Sequence, residues 1–341
     1  MSVLMIDLEA TKLTDADIDR IKHPAVAGII IFSRNFENKN QLKALIDEVR
    51  SKKENLLIAV DYEGGRVQRF RQQFTILPAM RDLGYAYEKD SQQALVMSKK
   101  IGWLISKELG SVDIDFSFTP VLDIDYASSS IIGDRAFHHN QAIISELANA
   151  LIEGLSLGGM QGVGKHFPGH GFIKEDTHLE TAVDRRELDQ IIQQDVGVFK
   201  ETIKKNLYGI MSAHVVYEKC DKRPSTFSNF WINDVLKNTL NFEGLVFSDD
   251  LSMKAAVNYS PSISTRVNEA FSAGIDIALI CNSPQDVDRV LEEIKSENYE
   301  ILIKKLKKMR LDKKKNKIST FEGQSLKMIQ DEVSFFTNHY N

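Results

Sequence analysis

Short apolar segments alternate along this chain with stretches whose apolar residues recur at helical spacing. The apolar segments predict eight buried strands, at residues 3–7, 28–32, 56–60, within 114–124, 161–166, 208–213, 244–249 and 275–281. The amphipathic stretches predict the helices between them, at residues 14–23, 42–49, 91–109, 141–157, 187–204, 231–240, 266–273 and 283–294. Strands and helices alternating in this number and order indicate an α/β fold, a (β/α)8 barrel.

Capping residues support two of these helix boundaries. Thr14 and Asp17 resemble a capping pair that opens the first helix, and Pro24 ends it. Gly110 follows the helix predicted over 91–109 and is expected to close it, because glycine is common just past a helix end.

The main alternative fold is a doubly wound parallel sheet. Such a sheet usually carries a glycine-rich phosphate loop after an early strand, whereas the glycines at 154–164 precede the fifth predicted strand. We predict one catalytic domain over residues 1–341, with the barrel over about 3–295 and a C-terminal helical appendage over about 296–341. The lysine-rich stretch 304–317 in this appendage is predicted to be a solvated helix face.

The composition narrows the class of protein. With 43% hydrophobic and 27% charged residues it is typical of a soluble globular protein, and a net charge of −5 favours neither nucleic acid nor a membrane surface as a partner. The two cysteines, Cys220 and Cys281, are too few for a disulfide framework. Neither a signal peptide nor an apolar run of about 20 residues is visible. We expect a cytoplasmic monomer.

Polar residues stand where several predicted strands stop. They are Asp61, Asp123, Lys165, His166, His214, Ser248 and Asp249. A polar residue after a strand is commonly a turn residue. However, catalytic groups of barrel enzymes come from the C-terminal ends of different strands. The number of ionisable residues at these positions favours an active site there.

The segment 164–178 (G-K-H-F-P-G-H-G-F-I-K-E-D-T-H) is the most polar of these strand exits. Its proline and glycines predict a shaped loop. Glycoside hydrolysis needs one group behind the anomeric carbon and one proton donor at the leaving oxygen. Asp249 is a candidate for the first role and His178 for the second, with Asp176 orienting the imidazole and raising its pKa. The alternative is that Asp176 and His178 only turn the loop.

Two further motifs are candidates for ligand binding. The motif D-Y-E-G-G-R-V-Q-R-F begins at Asp61 and includes Arg69, and its two glycines permit a sharp turn. An acid and an arginine in such a loop can hold sugar hydroxyls by charge-assisted hydrogen bonds, or can form a surface salt bridge. Arg135, in I-I-G-D-R-A-F, can reach the barrel mouth or lie on the surface. Because adjacent strand residues point to opposite faces, Asp250 is expected to support the backbone rather than share the role of Asp249.

Two other chemistries remain alternatives. His166, His170, His178 and His214 are a candidate metal set, but their spacings do not fit a helical pair and the first strand lacks His-x-His. Lys165 is a candidate Schiff-base lysine, yet that role needs an apolar pocket, and its loop is rich in acids and histidines. We therefore expect no metal site.

Five motifs, in this order along residues 3–295, resemble those of family 3 glycoside hydrolases, in particular the bacterial β-N-acetylhexosaminidases of peptidoglycan recycling. They are D-Y-E-G-G-R-V-Q-R-F, I-G-D-R-A-F, K-H-F-P-G-H-G followed by D-T-H, M-S-A-H-V-V-Y and L-V-F-S-D-D-L-S-M. The resemblance implies a retaining hydrolase with a covalent glycosyl-enzyme and with no metal or organic cofactor. It implies catalytic roles for Asp249, His178 and Asp176, and substrate-binding roles for Asp61, Arg69, Arg135, Lys165 and His166.

The same resemblance implies a substrate and a cellular role. The substrate is a terminal non-reducing β-N-acetylglucosamine on 1,6-anhydro-N-acetylmuramic acid, with or without its peptide. The role is in cell wall biogenesis, with effects on cell shape and cell division. Two alternatives stay open: a metal- or Schiff-base-dependent barrel enzyme, and a non-catalytic muropeptide-binding protein.

Overall fold

Eight parallel strands form one sheet in the computed structural model, which describes residues 2–174, 182–294 and 300–340. The strands are β1 Val3–Asp7, β2 Val26–Ile31, β3 Leu57–Val60, β4 Phe116–Ser117, β5 Val163–Phe167, β6 Gly209–Ser212, β7 Leu245–Asp250 and β8 Ile277–Ile280. Their spatial order is β4-β3-β2-β1-β8-β7-β6-β5. Neighbours in sequence are thus neighbours in space, apart from β4 and β5 at the two edges.

The segment after β4 joins these two edges. Val121 forms a parallel bridge with Lys165 of β5. The Leu122 N–H donates to Lys165 O over 2.7 Å, and the Val163 N–H donates to Thr119 O over 2.8 Å. The sheet therefore closes, and the predicted (β/α)8 barrel is confirmed.

Aromatic side chains fill part of the barrel interior. Phe116, Phe118 and Phe247 are fully buried, and their ring centroids lie 5.2 to 5.6 Å apart. Aromatic groups of this size contribute strongly to a core, because stabilisation follows the apolar area removed from water. Lys165 Nζ lies 5.9 Å from the centroid of the Phe118 ring. The apolar interior therefore ends where the polar groups of the barrel mouth begin.

Helices pack around the sheet. They are α1 Asp15–Lys22, α2 Lys39–Lys52, α3 Met80–Lys89, α4 Ser91–Gly110, α5 Gln141–Leu157, α6 Leu188–Gln193, α7 Asp195–Ile203, a π-helix Phe230–Thr239, α8 Lys254–Tyr259, α9 Ile263–Ala273, α10 Pro284–Glu293, α11 Glu300–Met309, α12 Lys313–Asn316 and α13 Leu326–Tyr340. Short pairs of strands outside the barrel are Tyr62–Gly64 with Val67–Gln68, Ala182–Asp184 with Val215–Tyr217, and Thr320–Phe321 with Gln324–Ser325. The predicted capping pair is confirmed, since Thr14 Oγ1 accepts from Asp17 N and an Asp17 carboxylate oxygen accepts from Thr14 N.

Several elements differ from their predictions. The helices α3 and α8 are additional, and the helix predicted over 187–204 is two helices, α6 and α7, that meet at Gln194. The fourth strand is much shorter than the apolar run 114–124, because its pairing with β3 ends at Ser117 and the Thr119 N–H donates back to Ser117 O over 2.9 Å. Strand pairing, rather than hydrophobicity, therefore set the length of this strand.

The prediction that Gly110 closes a helix from outside was wrong. Gly110 is the last residue of α4, and Ser111 caps it in a right-handed helical conformation. A Cβ on Gly110 would lie 2.6 Å from the side-chain amide of Asn316, whose Nδ2 donates to Ser106 O and Gly158 O. This glycine therefore makes room for the C-terminal segment.

The C-terminal segment packs on the N-terminal ends of the strands. Leu311 N donates to the carboxylate of Asp115, just before β4, and Lys305 Nζ donates to Gly244 O, just before β7. Met309 is fully buried. Most lysines of the stretch 304–317 are exposed, as predicted, although the stretch spans two helices. Within the described ranges, no helix combines the length and the apolar character that crossing a bilayer requires.

The close approach of α4 and α5 yields a stability prediction. A Cβ on Gly102 would lie 2.0 Å from Leu151 O, so Gly102→Ala must push the helices apart. We expect it to lower the free energy of unfolding by about 1–3 kcal/mol, although alanine is the better helix former by about 1 kcal/mol. Denaturant unfolding measures this, with Ser156→Ala at an exposed position of α5 as the control. A Gly102→Ala protein as stable as the wild type would contradict this packing.

Candidate active site

Charged side chains meet at the C-terminal ends of the barrel strands. Lys165 in β5 donates to Asp61 Oδ1 over 2.9 Å and lies 2.6 Å from Glu63 Oε1. Arg69 donates to the second oxygen of Asp61 over 3.1 Å. Arg135 donates to both oxygens of Glu63 over 2.8 and 2.9 Å. Five residues from three separate segments thus form one ionic network.

The loop after β3 supplies the two carboxylates and Arg69. Tyr62–Gly64 pairs with Val67–Gln68 in a tight hairpin. Gly64 and Gly65 both have positive φ, at 111° and 53°, so the sharp turn expected from these glycines is confirmed. Arg69 directly follows the hairpin and returns to Asp61. The turn therefore determines the distance between the acid and the arginine.

Burial and ion pairing fix the charges of the network. Burial alone raises the pKa of Asp61, but Lys165 and Arg69 together hold this pKa well below its ordinary value. Burial also opposes ionisation of Glu63, yet Arg135 and Lys165 lower its pKa to about 2. Burial lowers the pKa of Lys165, and the two carboxylates reverse this and raise it. All these groups are therefore charged at neutral pH.

The charge on Lys165 bears on the Schiff-base alternative. An amine must lose its proton before it attacks a carbonyl, and enzymes promote this by lowering the lysine pKa. Lys165 is held between two carboxylates, and its pKa is raised. Its surroundings thus favour a fixed cation that donates hydrogen bonds.

A second network involves Asp123 and two histidines. Asp123 Oδ2 lies 2.6 Å from His166 Nδ1, and Asp123 Oδ1 accepts from His170 N over 2.6 Å. Although burial raises the pKa of Asp123, His166 lowers it below its ordinary value. A carboxylate only accepts, so Nδ1 of His166 carries the proton and the ring orientation is fixed. Burial lowers the pKa of His170 to about 4, so this histidine is neutral.

Strand β5 has an irregular register at this point. Lys165 is paired with Met211, and Phe167 with the next residue of β6, Ser212. His166 is therefore an extra residue, and the pairing has the geometry of a β-bulge. Regular alternation would place Lys165 and His166 on opposite faces. With the bulge, both side chains join networks at the barrel mouth.

Asp249 lies in a similar irregularity of β7. Phe247 is paired with Ile277, and Asp250 with Leu279, so β7 has one more residue than β8 over this interval. Asp249 is partly exposed, and its Oδ1 accepts from Asp250 N over 2.8 Å. Its negative charge raises the pKa values of His170 and His214, although burial lowers both overall. Asp249 therefore lies in the same polar region as the histidine network.

The Asp250 carboxylate supports the backbone, as expected. Its Oδ1 accepts from Ser252 N over 2.9 Å and Cys281 N over 3.0 Å. The Ser252 hydroxyl lies 2.6 Å from both Asp250 Oδ2 and Cys281 O. Since this hydroxyl has one proton and two acceptors, a proton on Asp250 satisfies both contacts. Burial raises the pKa of Asp250 to about 7, against the opposing effect of these hydrogen bonds.

His214 is another of the strand-end residues named from the sequence. Its Nε2 lies 2.9 Å from Asp250 O, and its ring stacks on Phe227 with 9° between the planes. A carbonyl oxygen only accepts, so Nε2 carries a proton. Burial lowers the pKa of this histidine, which is thus a neutral group. His214 fixes the backbone beside Asp249.

The structure brings together all the predicted substrate-binding residues, and places Asp249 at the same end of the barrel. Asp176 and His178 lie outside the described residues. Sequence reasoning missed Glu63 and gave Asp123 no role. Glu63 stands two residues after Asp61, and this spacing was the available signal. Among the described residues, no group of three or more His, Cys, Asp or Glu side chains is arranged to hold a metal ion.

Comparison with known proteins identifies the family. The model described as "Glycosyl hydrolase family 3 N terminal domain" matches residues 3–320. The chain belongs to glycoside hydrolase family 3. A protein named beta-hexosaminidase from Methylobacillus flagellatus is 47% identical over 293 residues, which are 86% of this chain and 84% of that protein. The protein of the same name from Nitrosomonas eutropha is 46% identical over 308 residues, 90% of this chain and 88% of that one.

Structural comparison gives the same family. The crystal structure of NagZ from Neisseria gonorrhoeae in complex with N-trifluoroacetyl-D-glucosamine has a TM-score of 0.92, with 38% identity and 98% coverage of both chains. The predicted enzyme class, a β-N-acetylhexosaminidase, is thus confirmed together with the family. This protein is a family 3 glycosidase, and its ionic networks lie where barrel enzymes carry their active sites.

The raised pKa of Asp250 yields a pH prediction. Between about pH 4 and pH 7 the folded protein holds a proton that the unfolded chain has released, so wild-type stability falls as pH rises through this window. Asp250→Asn lacks this contribution. We therefore compare the free energy of unfolding of Asp250→Asn with that of the wild type at two pH values. This difference should shift in favour of the variant by about 1–3 kcal/mol when the pH is raised from about 5 to about 7.5. Denaturant unfolding at both values measures the change.

The matched control for this measurement is Asp331→Asn, on the exposed face of α13. Its stability difference from the wild type should not change between the two pH values. A pH-independent difference for Asp250→Asn would show that Asp250 is ionised throughout the window.

Proposed function

We propose that this enzyme is a retaining glycosidase that removes terminal non-reducing β-N-acetylglucosamine from 1,6-anhydro-N-acetylmuramyl muropeptides. The observation that carries the proposal is the ionic network of Asp61, Arg69, Arg135 and Lys165 at the same end of the barrel as Asp249. We place the activity in the cytoplasm, in peptidoglycan recycling and cell wall biogenesis. The proposed catalytic unit is one domain, 1–341, that acts as a monomer without a cofactor.

The network is suited to a sugar because its donors and acceptors are fixed before the ligand binds. Each carboxylate has two oxygens with several lone pairs, and Lys165 and the arginines carry several N–H groups. Charge-assisted hydrogen bonds to hydroxyls are stronger than neutral ones. A preorganised set of this kind costs little reorganisation when the sugar binds. His166, oriented by Asp123, adds one more polar group at the same edge.

Asp249 is the proposed nucleophile. As a carboxylate at the end of β7, it would attack the anomeric carbon and form a glycosyl-enzyme while the leaving oxygen receives a proton. In the second step, water would release the sugar and regenerate the carboxylate.

His178, with Asp176 as its partner, is the proposed acid/base. A second carboxylic acid beside anionic Asp249 would need a strongly raised pKa to stay protonated. A histidine avoids this repulsion, because it is a cation when it donates to the leaving oxygen. It is neutral when it accepts a proton from water in the second step. Asp176 would favour the protonated form.

The identity of the sugar is supported by relatives. The proteins from Methylobacillus and Nitrosomonas are named beta-hexosaminidase, and the Neisseria protein was crystallised with N-trifluoroacetyl-D-glucosamine. The anhydromuramyl part of the substrate rests on the resemblance to the recycling branch of the family. Turnover of a 4-nitrophenyl N-acetyl-β-glucosaminide, compared with the anhydro disaccharide, tests both parts. The same assay after dialysis against a chelator tests the expected independence of metal.

We predict that Asp249→Ala lowers turnover by at least about 10³-fold, because the nucleophile is lost. A 2-fluoro or 5-fluoro sugar that traps the glycosyl-enzyme should label Asp249 in the wild type, as read by mass spectrometry of peptides. Asp250→Asn is the neighbouring control, and it should still form the labelled intermediate. Label on any other residue would exclude Asp249 as the nucleophile.

We predict that His178→Ala slows substrates with poor leaving groups by about 10²–10⁴-fold and activated aryl glycosides much less. An activated aryl group departs without a proton, so only the second step then needs the imidazole. Azide should restore part of the second step by forming a glycosyl azide. Equal slowing across leaving groups, with no azide product, would show that His178 is not the acid/base.

A further inference from the structure

A cluster of charged and aromatic side chains beside the active site has no role in the chemistry proposed above. Its charged members, Asp184, Arg186 and Asp195, are largely buried, whereas Tyr126 is half-buried and Phe172 is 40% exposed. Arg186 donates to both oxygens of Asp184 from Nε and Nη2, and its Nη1 donates to Asp195 Oδ2 over 2.8 Å. The side chain of Arg186 is 9% exposed, that of Asp184 0% and that of Asp195 1%. A guanidinium is thus fully engaged in the protein interior.

Two aromatic rings complete the surroundings of Arg186. Its guanidinium carbon lies 4.3 Å from the centroid of the Phe172 ring and 5.0 Å from that of Tyr126. The two rings contact each other edge to face at 5.4 Å. Arg186 Nη1 also donates to the Tyr126 hydroxyl over 2.9 Å. Cation–π contacts and a bidentate pair together define one position of this side chain.

Phe172 belongs to a segment whose backbone is held from several sides. The Ser128 hydroxyl donates to Phe172 O over 3.0 Å, and the Tyr217 hydroxyl donates to Gly169 O over 2.7 Å. A Cβ on Gly171 would lie 1.8 Å from Ile124 O, so this backbone passes very close to the segment after β4. The chain leading out of β5 is therefore fixed as far as the Phe172 ring.

Asp184 and Arg186 belong to a second fixed segment. The strand Ala182–Asp184 pairs in parallel with Val215–Tyr217, and Glu218 N donates to Asp184 O over 3.0 Å. Arg186 thus connects the segment ending with Phe172 to the segment beginning with Ala182. In the sequence, Asp176 and His178 lie between these two segments.

A buried ion cluster is a poor means of adding stability. Desolvation of the charges offsets most of their attraction, and apolar groups of similar volume often serve as well. What such a cluster provides is one defined geometry, because a planar guanidinium accepts few arrangements of its partners. This cluster connects the two chain segments that flank the proposed acid/base pair.

We propose that Arg186, together with Phe172, is a positioning residue for Asp176 and His178. It fixes the relative placement of the two chain ends from which these residues extend, and it acts through them without touching the substrate. This inference rests on the proposed function, since it assigns Arg186 to the proton-transfer step. Displacement of a catalytic group by about 1 Å can cost on the order of 10²-fold in rate.

The test compares Arg186→Lys and Phe172→Leu with Arg185→Ala. The lysine keeps the charge but loses the bidentate pair and the stacking, and leucine keeps an apolar side chain but loses the ring. Arg185 is the matched control, because it is the adjacent arginine, is 69% exposed and pairs only with exposed Glu218 in the described part of the chain. Thermal unfolding of each variant shows that the fold is intact. If Arg186→Lys does not fold, Phe172→Leu alone carries the test.

We expect both cluster variants to lose kcat and kcat/KM on poor leaving groups by about 10- to 100-fold. On activated aryl glycosides kcat/KM reports only the first step, which needs no proton, so kcat/KM should change there by less than about threefold, and Arg185→Ala should match the wild type. A merely structural role would change both substrate types alike. An equal loss on both substrate types, or an unchanged kcat, would overturn the proposal.

Combination with His178→Ala separates this inference from the function it rests on. If Arg186 acts through His178, then Arg186→Lys should cause no further loss of kcat in the His178→Ala background. If the two losses multiply while His178→Ala alone shows its leaving-group dependence, the positioning role is wrong and the proposed function stands. If His178→Ala alone leaves the activity unchanged, the acid/base assignment and the positioning role both fail.

Discussion

The ammonium of Lys165 is the group on which the arrangement of the barrel mouth depends. Its side chain is 3% exposed and lies between Asp61 and Glu63, which come from the loop after β3, while Lys165 itself is in β5. These strands are not neighbours, because β4 stands between them. Removing one partner would leave an uncompensated buried charge, at a cost of about 3–5 kcal/mol. Arg135 shares Glu63, so its loop is held by the same cation.

The polar groups reach this cation because two strands are irregular. In both β5 and β7 one extra residue interrupts the pairing with the neighbouring strand, and the interruptions occur at Lys165–Phe167 and Phe247–Asp250. Bulges redirect side chains and are common beside active sites. Here they allow Lys165 and His166 to join adjoining networks. In β7, Asp249 is partly exposed, while the adjacent Asp250 accepts hydrogen bonds from backbone N–H groups.

Buried polar groups have different tasks at the two ends of the barrel. At the N-terminal ends of the strands, Asp115 attaches the C-terminal segment beside β4, and Asn316 attaches it to α4 and to the residue after α5. At the C-terminal ends, the networks around Lys165 and Asp123 form the proposed binding site. The cluster around Arg186 lies beside them and connects two flanking segments. Attachment of the C-terminal segment, the proposed binding role and the proposed positioning role thus belong to separate sets of charges.

The sequence by itself determined the order of the elements. Apolar periodicity located all eight strands and most helices, because burial of one face or of both faces imposes a period on the chain. It also located the charged strand ends, and its motifs indicated the family. It did not determine the length of β4, the break between α6 and α7, or why position 110 needs a glycine. These depend on where β3 and β4 stop pairing, on partners distant in sequence and on the position of Asn316.

Only the tertiary structure decided which charges act together. Glu63 was marked only by its spacing from Asp61, and Asp123 only by its position at a strand end. Their importance arises from contacts with Lys165, Arg135 and His166, which are distant in sequence. The bulges in β5 and β7 were equally hidden, because strand alternation is a local rule and a bulge is a property of pairing. The raised pKa of Asp250 and the lowered pKa of His170 arise from burial in the same way. A sequence encodes local preference directly, but it encodes electrostatic environment only through the contacts that folding creates.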